Sequence, residues 1–280
     1  MKTWHMVIDV ARCHDCNNCF LACKDEFCEN DYPPYSVAQP RHGHRWMDVQ
    51  RKERGQFPKV DVGYLPYPCM HCDNAPCIQK TKGEAIYKKE NGIVLINPEK
   101  AKGKREIVES CPYGVIYWNE EKKVAQKCTF CAHLLEDGWK EPRCVQACPT
   151  GALTVAYGED SEIEKIRKSE GLEVYRPELK SNPRVYYKNL YRYTNSFIAG
   201  SVALRDKDEC AEKAKVTLTG EALKKPQATA TNNYGDFKFD DLADNSGTYK
   251  VEVEFAGYPK QTKTVELGTS INIGTIFLSR

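Results

Sequence analysis

Hydrophobic and polar positions give the chain two textures, with the change at Ala199. Before it the signals are short and mixed. Residues 4–9, WHMVID, form an apolar run that reads as a strand entering a cysteine loop. Residues 24–65 are charged, aromatic and proline-containing, and read as a long insertion. In AIYKKENGIVLIN (85–97) the alternation breaks at Asn91-Gly92, a pair suited to the positive φ angles of a tight hairpin. Residues 97–110 have helix-like composition after a turn, and ALTVAYG (152–158) reads as a strand. SEIEKIRKSEG (161–171) predicts a helix closed by Gly171. NPRVYYKNLYRYTN (182–195) reads as extended and too sticky for a bare linker, so it is expected to serve as a docking segment.

After Ala199 come seven alternating runs: AGSVAL, AKVTLTG, QATATN, GDFKFDDL, GTYKVEVEF, KQTKTVEL and INIGTIFL. Turn signals such as Asn245-Ser246-Gly247 separate them, the pattern of an antiparallel β-sandwich. The expected fold class is α+β. Residues 1–158 form a cysteine-rich domain, 159–198 a helix and docking segment, and 199–280 a seven-stranded sandwich.

Charge removes several function classes. Lys and Arg number 41 against 39 Asp and Glu, a net charge of +2, so no broad attraction to nucleic acid is expected. Mean hydropathy is −0.63, and no apolar run approaches the roughly 18–20 residues that span a bilayer. The start, MKTWHMVIDVARC, shows no basic, apolar or twin-arginine signal. A cytoplasmic location is expected, the alternative being export alongside a partner that carries such a signal.

The 14 cysteines carry the chemistry, and 13 of them fall between Cys13 and Cys148. Their runs are Cys13-x2-Cys16-x2-Cys19-x3-Cys23, Cys69-x2-Cys72-x4-Cys77, Cys111-Pro112, and Cys128-x2-Cys131-x12-Cys144-x3-Cys148-Pro149. A 4Fe–4S cubane needs four thiolates. A CxxCxxC loop supplies three of them, and the fourth cysteine of the run serves the other cluster of a pair. By that crossing rule Cys13, Cys16, Cys19 and Cys148 form one site, and Cys23, Cys128, Cys131 and Cys144 a second. Cys69, Cys72 and Cys77 close with Cys111 as a third. A fourth site would need cysteine where Thr81, Ala101, Lys104 and Ile107 stand, so all four missing ligands belong to one site. Three 4Fe–4S clusters are expected, with iron held by those twelve cysteines and with Cys28 and Cys210 as free thiols.

Zinc is the competing reading of the CxxC pairs, but it does not call for two triple runs with following x3-Cys ligands. His14, His71 and His133 lie in or beside the loops and are expected to shape them, since each site already has four thiolates. His42 and His44 are expected in a solvated loop. Arg12, Lys24, Lys127 and Arg143 flank ligands, where positive charge raises reduction potential. Lys104, with Ile107 and Thr81, is expected to fill the space of the absent cluster. There is no GxGxxG turn, P-loop or nucleophile–base pair, so no catalytic residue is assigned.

The strings PCMHCDNAPC, ESCPYG, AQKCTFCAH and RCVQACPTGAL resemble the iron–sulfur subunits of dimethyl-sulfoxide-reductase-family molybdopterin enzymes. The absent inner cluster, HRWM and the appended sandwich are similar to its polyphenol branch, the pyrogallol–phloroglucinol transhydroxylases and anaerobic resorcinol hydroxylases. The sandwich separately resembles transthyretin-like and Cna-B-like domains. The resemblance implies tandem bacterial-ferredoxin modules and a heterodimer. In it a large catalytic subunit carries molybdenum bis-pterin guanine dinucleotide and the substrate site, while this chain transfers electrons. A respiratory molybdenum reductase subunit (arsenate, polysulfide or sulfoxide type) is the alternative function, as is an interaction subunit whose clusters are mainly structural.

Overall fold

A computed structural model describes residues 1–280 as two compact units. One holds Met1–Gln50 and Tyr64–Leu190, the other Arg51–Gly63 and Tyr191–Arg280. The mixture is α+β, in line with the sequence pattern, and no helix is long and apolar enough to cross a membrane.

The first unit opens with β1 (Thr3–Asp9) and α1 (Asn18–Phe27), then β2 (Met47–Gln56) and β3 (Lys59–Pro68). Short elements follow: α2 (Pro76–Lys80), β4 (Ile86–Lys88), β5 (Val94–Ile96), α3 (Pro98–Ala101), a 3-10 turn at Arg105–Ser110, β6 (Tyr117–Asn119) and β7 (Val124–Gln126). After α4 (Ala132–Glu136) and α5 (Arg143–Gln146) come β8 (Leu153–Gly158), α6 (Asp160–Ser169) and β9 (Val185–Lys188). The apolar alternation of β1 buries Met6 and Ile8, and this strand centres a sheet with β8 antiparallel on one side and β9 parallel on the other. The β4–β5 hairpin turns through Gly92, whose φ of +86° suits glycine; an added Cβ would also sit 2.6 Å from Arg184 Nε. Glu159 and Glu162 form a capping box that starts α6, and Ile163 packs it against Leu172 and Tyr186.

Two expectations need correction here. The helix-like stretch 97–110 is only α3 and a 3-10 turn, broken at Gly103 with φ +75°. The aromatic segment 182–195 is not extended throughout. Its first half is β9, where Val185 and Tyr187 are fully buried, and its second half is the short α7 (Tyr191–Thr194). The stickiness of the first half is answered within the chain's own core, whereas α7 buries none of its residues fully.

In the second unit, α7 leads into β10 (Ser196–Leu204), β11 (Glu209–Cys210), β12 (Lys215–Gly220), β13 (Gln227–Ala230), β14 (Asp236–Leu242), β15 (Gly247–Glu254), β16 (Gln261–Leu267) and β17 (Ile271–Leu278). Each of the seven alternating runs becomes a strand, and a two-residue strand, β11, is added. One sheet gathers β11, β14 and β17 around β10, and the other runs β13-β12-β15-β16. Pairing is antiparallel except between β10 and β17, the unit's first and last long strands, which run parallel. The period-2 faces meet in a core that includes Val202, Val216, Phe237, Tyr249 and Val251.

The tip of the β2–β3 hairpin, Arg51–Gly63, also belongs to this unit. Arg54 is 3% exposed and ion-pairs with Asp61 at 2.8 Å and Asp240 at 3.0 Å, and Lys238 Nζ meets both carboxylates at 2.7 Å. The second compact unit therefore draws on residues from inside the 24–65 insertion.

Candidate iron–sulfur sites

Three CxxC loops share one backbone device. The residue just before the second cysteine takes a left-handed conformation in each: Asp15 (φ 57°), His71 (φ 43°) and Phe130 (φ 57°). Aspartate and histidine tolerate that region, whereas phenylalanine there costs of order 1 kcal/mol or more. In two of the loops that conformation turns the residue's own N–H toward sulfur: Asp15 N–H donates to Cys13 and Phe130 N–H to Cys128 at 3.4 Å. Outside the loops, Ile78 N–H of α2 donates to Cys77. Cys111 accepts from the N–H groups of Val115 and Tyr113, and Cys131 from that of Arg143. Nothing in the composition signals this feature; it emerges from the loop geometry.

The charges acting on each sulfur come from particular neighbours. Cys19 feels Cys13, Cys148 and Cys16; Cys144 feels Cys131, Cys128 and Cys23 before Cys19; Cys72 feels Cys69, Cys111 and Cys77; Cys128 feels Cys69, from another run, most strongly. Cys23, Cys128, Cys131 and Cys144 line one enclosed cavity together with Phe27, Trp46 and Met47. The indole N–H of Trp46, 1% exposed, has no hydrogen-bond partner there. No three His, Cys, Asp or Glu side chains converge on a point where a single ion would bind.

Burial first, then neighbouring cysteines, pushes most of these thiols up. Cys19 and Cys72 rise to about 12, and Cys77 and Cys128 to about 11. Burial would raise Cys148 as well, but donors from Leu153, Ala152 and Thr150 lower it overall. Ligands bind iron as thiolates, so buried thiols of this kind suit a group whose cationic metal displaces their protons. The donor set and the inward N–H groups fit 4Fe–4S clusters.

Other residues depart from what their sequence position suggests. His44 is buried and its Nε2 lies 3.0 Å from the Trp118 carbonyl oxygen, so it is no solvated loop residue; His42 is exposed. His71 is buried, with Nδ1 accepting from Val94 N–H at 3.1 Å, and burial holds it neutral, well below the usual imidazole range. His14 is exposed, and His133 Nε2 sits 3.0 Å from Glu26 Oε1. At the vacated ligand positions Ala101 and Ile107 are buried, and the Thr81 hydroxyl donates to the Cys77 carbonyl at 2.8 Å. Lys104 does not fill the space. It reaches Glu84 at 3.2 Å at the surface, beside an open hollow that it lines with Thr81 and Ile107. A long cation next to a carboxylate keeps its charge in water rather than burying it.

A further functional segment is hidden in the sequence. Residues 181–184 strap the Cys69–Cys77 loop: Asp73 N–H donates to Asn182 O, Asn74 N–H to Ser181 O, and Arg184 N–H to Met70 O. Arg184 also pairs with Asp73 at 2.6 Å.

Residues 60–157 match the model of the 4Fe–4S dicluster domain, and residues 198–278 that of the carboxypeptidase regulatory-like domain. The chain is 47% identical to the pyrogallol hydroxytransferase small subunit of Pelobacter acidigallici, over 99% of this chain and 100% of that one. It is 33% identical to a tetrathionate reductase subunit of Salmonella typhimurium, over 66% of this chain and 72% of that one. Against the arsenate respiratory reductase iron–sulfur subunit of a Shewanella strain it is 29% identical, over 65% of this chain and 94% of that one.

Proposed function

This chain belongs to the iron–sulfur subunits of the dimethyl-sulfoxide-reductase family of molybdenum oxidoreductases, and from that membership we propose that it is the electron-transfer small subunit of a polyphenol hydroxylase or transhydroxylase. The observation that carries the branch is coverage. Similarity to the pyrogallol enzyme's subunit extends over 99% of the chain, sandwich included, whereas the two reductase subunits match 65–66% of it.

The partner in this reading is a large subunit with molybdenum bis-pterin guanine dinucleotide and the substrate site, forming a heterodimer with this chain in the cytoplasm. Three 4Fe–4S clusters would be held by Cys13, Cys16, Cys19 and Cys148; by Cys23, Cys128, Cys131 and Cys144; and by Cys69, Cys72, Cys77 and Cys111. When bound, such groups supply one-electron redox capacity. The chain's own residues do the rest. Trp46, Phe27 and Met47 exclude water from the second site, and the N–H groups of Phe130 and Arg143 donate to its sulfurs. Cys16 is the exposed ligand of the first site, whereas none of the four ligands of the second is exposed.

The iron-to-molybdenum ratio of the native complex, purified without oxygen, tests this. Three clusters in this chain and none in its partner give a ratio of about 12. About 16, from one more cluster in the partner, would favour a respiratory-type reductase, and a preparation without molybdenum would sink both.

A further inference from the structure

Lys127 is buried next to Cys128 and bonds Val94, whose N–H in turn donates to His71 of the Cys69–Cys72 loop, and no counter-ion explains its burial. The residue is 3% exposed, and Nζ donates to two neutral carbonyls, those of Val94 and, at 2.9 Å, Cys128. A buried ammonium without a carboxylate is costly, by several kcal/mol in protein interiors. Nearby Arg184, by contrast, spends its charge on Asp73 at 2.6 Å. The charge of Lys127 acts on Cys77 and Cys111 of one set and on Cys128 of another. The largest influences on Cys13, Cys19 and Cys148 are burial, local donors and carboxylate, and one another. These two sets also abut: Cys69 N–H donates to the Cys128 sulfur.

We propose that Lys127 is the shared counter-cation of the Cys69/Cys72/Cys77/Cys111 and Cys23/Cys128/Cys131/Cys144 sites and raises the reduction potential of both. Four thiolates outweigh the positive charge of a cubane core, and each added electron deepens the negative charge. A fixed ammonium beside both sites stabilises their reduced states, and low local dielectric strengthens the effect. The first site, whose sulfurs answer chiefly to other groups, keeps its own potential. Lys127 is thus a positioning and tuning residue, not a ligand. The inference rests on the three-cluster reading above.

The test is a redox titration of the purified complex followed by electron paramagnetic resonance, comparing the wild type with Lys127→Met and Lys127→Arg. In Lys127→Met, two of the three reduced-cluster signals should move together to lower potential, by about tenfold in the reduction equilibrium, or about 59 mV for one electron. The third signal should stay in place, and Lys127→Arg should restore both shifted signals. Three unmoved midpoints in Lys127→Met would overturn the proposal. If Lys127→Met loses iron, Lys127→Arg decides: full iron with wild-type midpoints supports a role for charge, and iron loss there too assigns the residue to packing and overturns it. A wild-type chain without about twelve irons would instead break the three-cluster reading, so the two failures are distinguishable.

Discussion

A chain carrying Cys111→Ala is expected to hold about eight irons in place of about twelve, with the two outer sites intact. Cys111 stands alone in the sequence, so its membership of the third site depends on the fold bringing it to a distant loop. The 3-10 turn Arg105–Ser110 delivers it, Val115 and Tyr113 donate N–H groups to its sulfur, and Cys69 supplies the largest charge acting on it. Neither of the outer sets includes it. Alanine removes the fourth thiolate and leaves space for water beside the remaining three. Metal binding stabilises the fold that surrounds it, so the loop Cys69–Cys77 should also lose rigidity, although the 181–184 strap stays in place. Iron analysis with electron paramagnetic resonance gives the answer. About eleven irons with a three-iron signal would still place Cys111 in this site, whereas an unchanged count of about twelve would break the pairing.

Legibility in the sequence follows the range of the interaction. The cysteine runs, the Asn91-Gly92 turn, the α6 stop at Gly171 and the seven sandwich runs are set by residues a few positions apart, and each reads directly. What cannot be read is long-range. Tyr186 and Tyr187 look like exposed adhesive until β9 is seen to complete the β1 sheet, and their pairing partners lie near the N-terminus. The hairpin β2–β3 reads in sequence only as a charged insertion. Its alternation is masked because Arg54, a polar residue, is among its most buried side chains, with Asp240 as a distant ion-pair partner. The sequence position of Lys104 points inward, but its side chain takes water and Glu84 instead. The left-handed Phe130 has no compositional signature, because a bulky aromatic ordinarily avoids that conformation.

The buried cation of the second unit yields the other large effect: Arg54→Ala is expected to destabilise that unit by about 3 kcal/mol without changing the iron content. Arg54 and Lys238 face Asp61 and Asp240, with Arg192 also 3.7 Å from Asp61. The guanidinium also donates to Asn195 O at 2.9 Å and lies 5.5 Å over the Phe197 ring. Gly55 permits that approach: a Cβ there would stand 2.5 Å from Phe197 Cζ and closer still to Lys59 O. Removing Arg54 takes a buried guanidinium from both carboxylates and leaves a cavity beside the ring, and both effects act in the same direction. Asp61→Asn combined with Arg54→Ala should cost less than the sum of the two changes, since they share partners. The network also fixes the sign of the acid response. Burial would raise the Asp61 carboxyl, but Lys238, Arg54 and Arg192 hold it below its ordinary 3.8. Its contribution is therefore complete above about pH 3.8 and is lost as pH falls through the lower folded value. Hydrogen exchange read by mass spectrometry separates this from a global effect. Peptides from 51–63, 191–204 and 236–242 should exchange faster in Arg54→Ala while those from β1 and β8 do not, and wild-type protection throughout all of them would show that the hairpin tip contributes nothing to the sandwich.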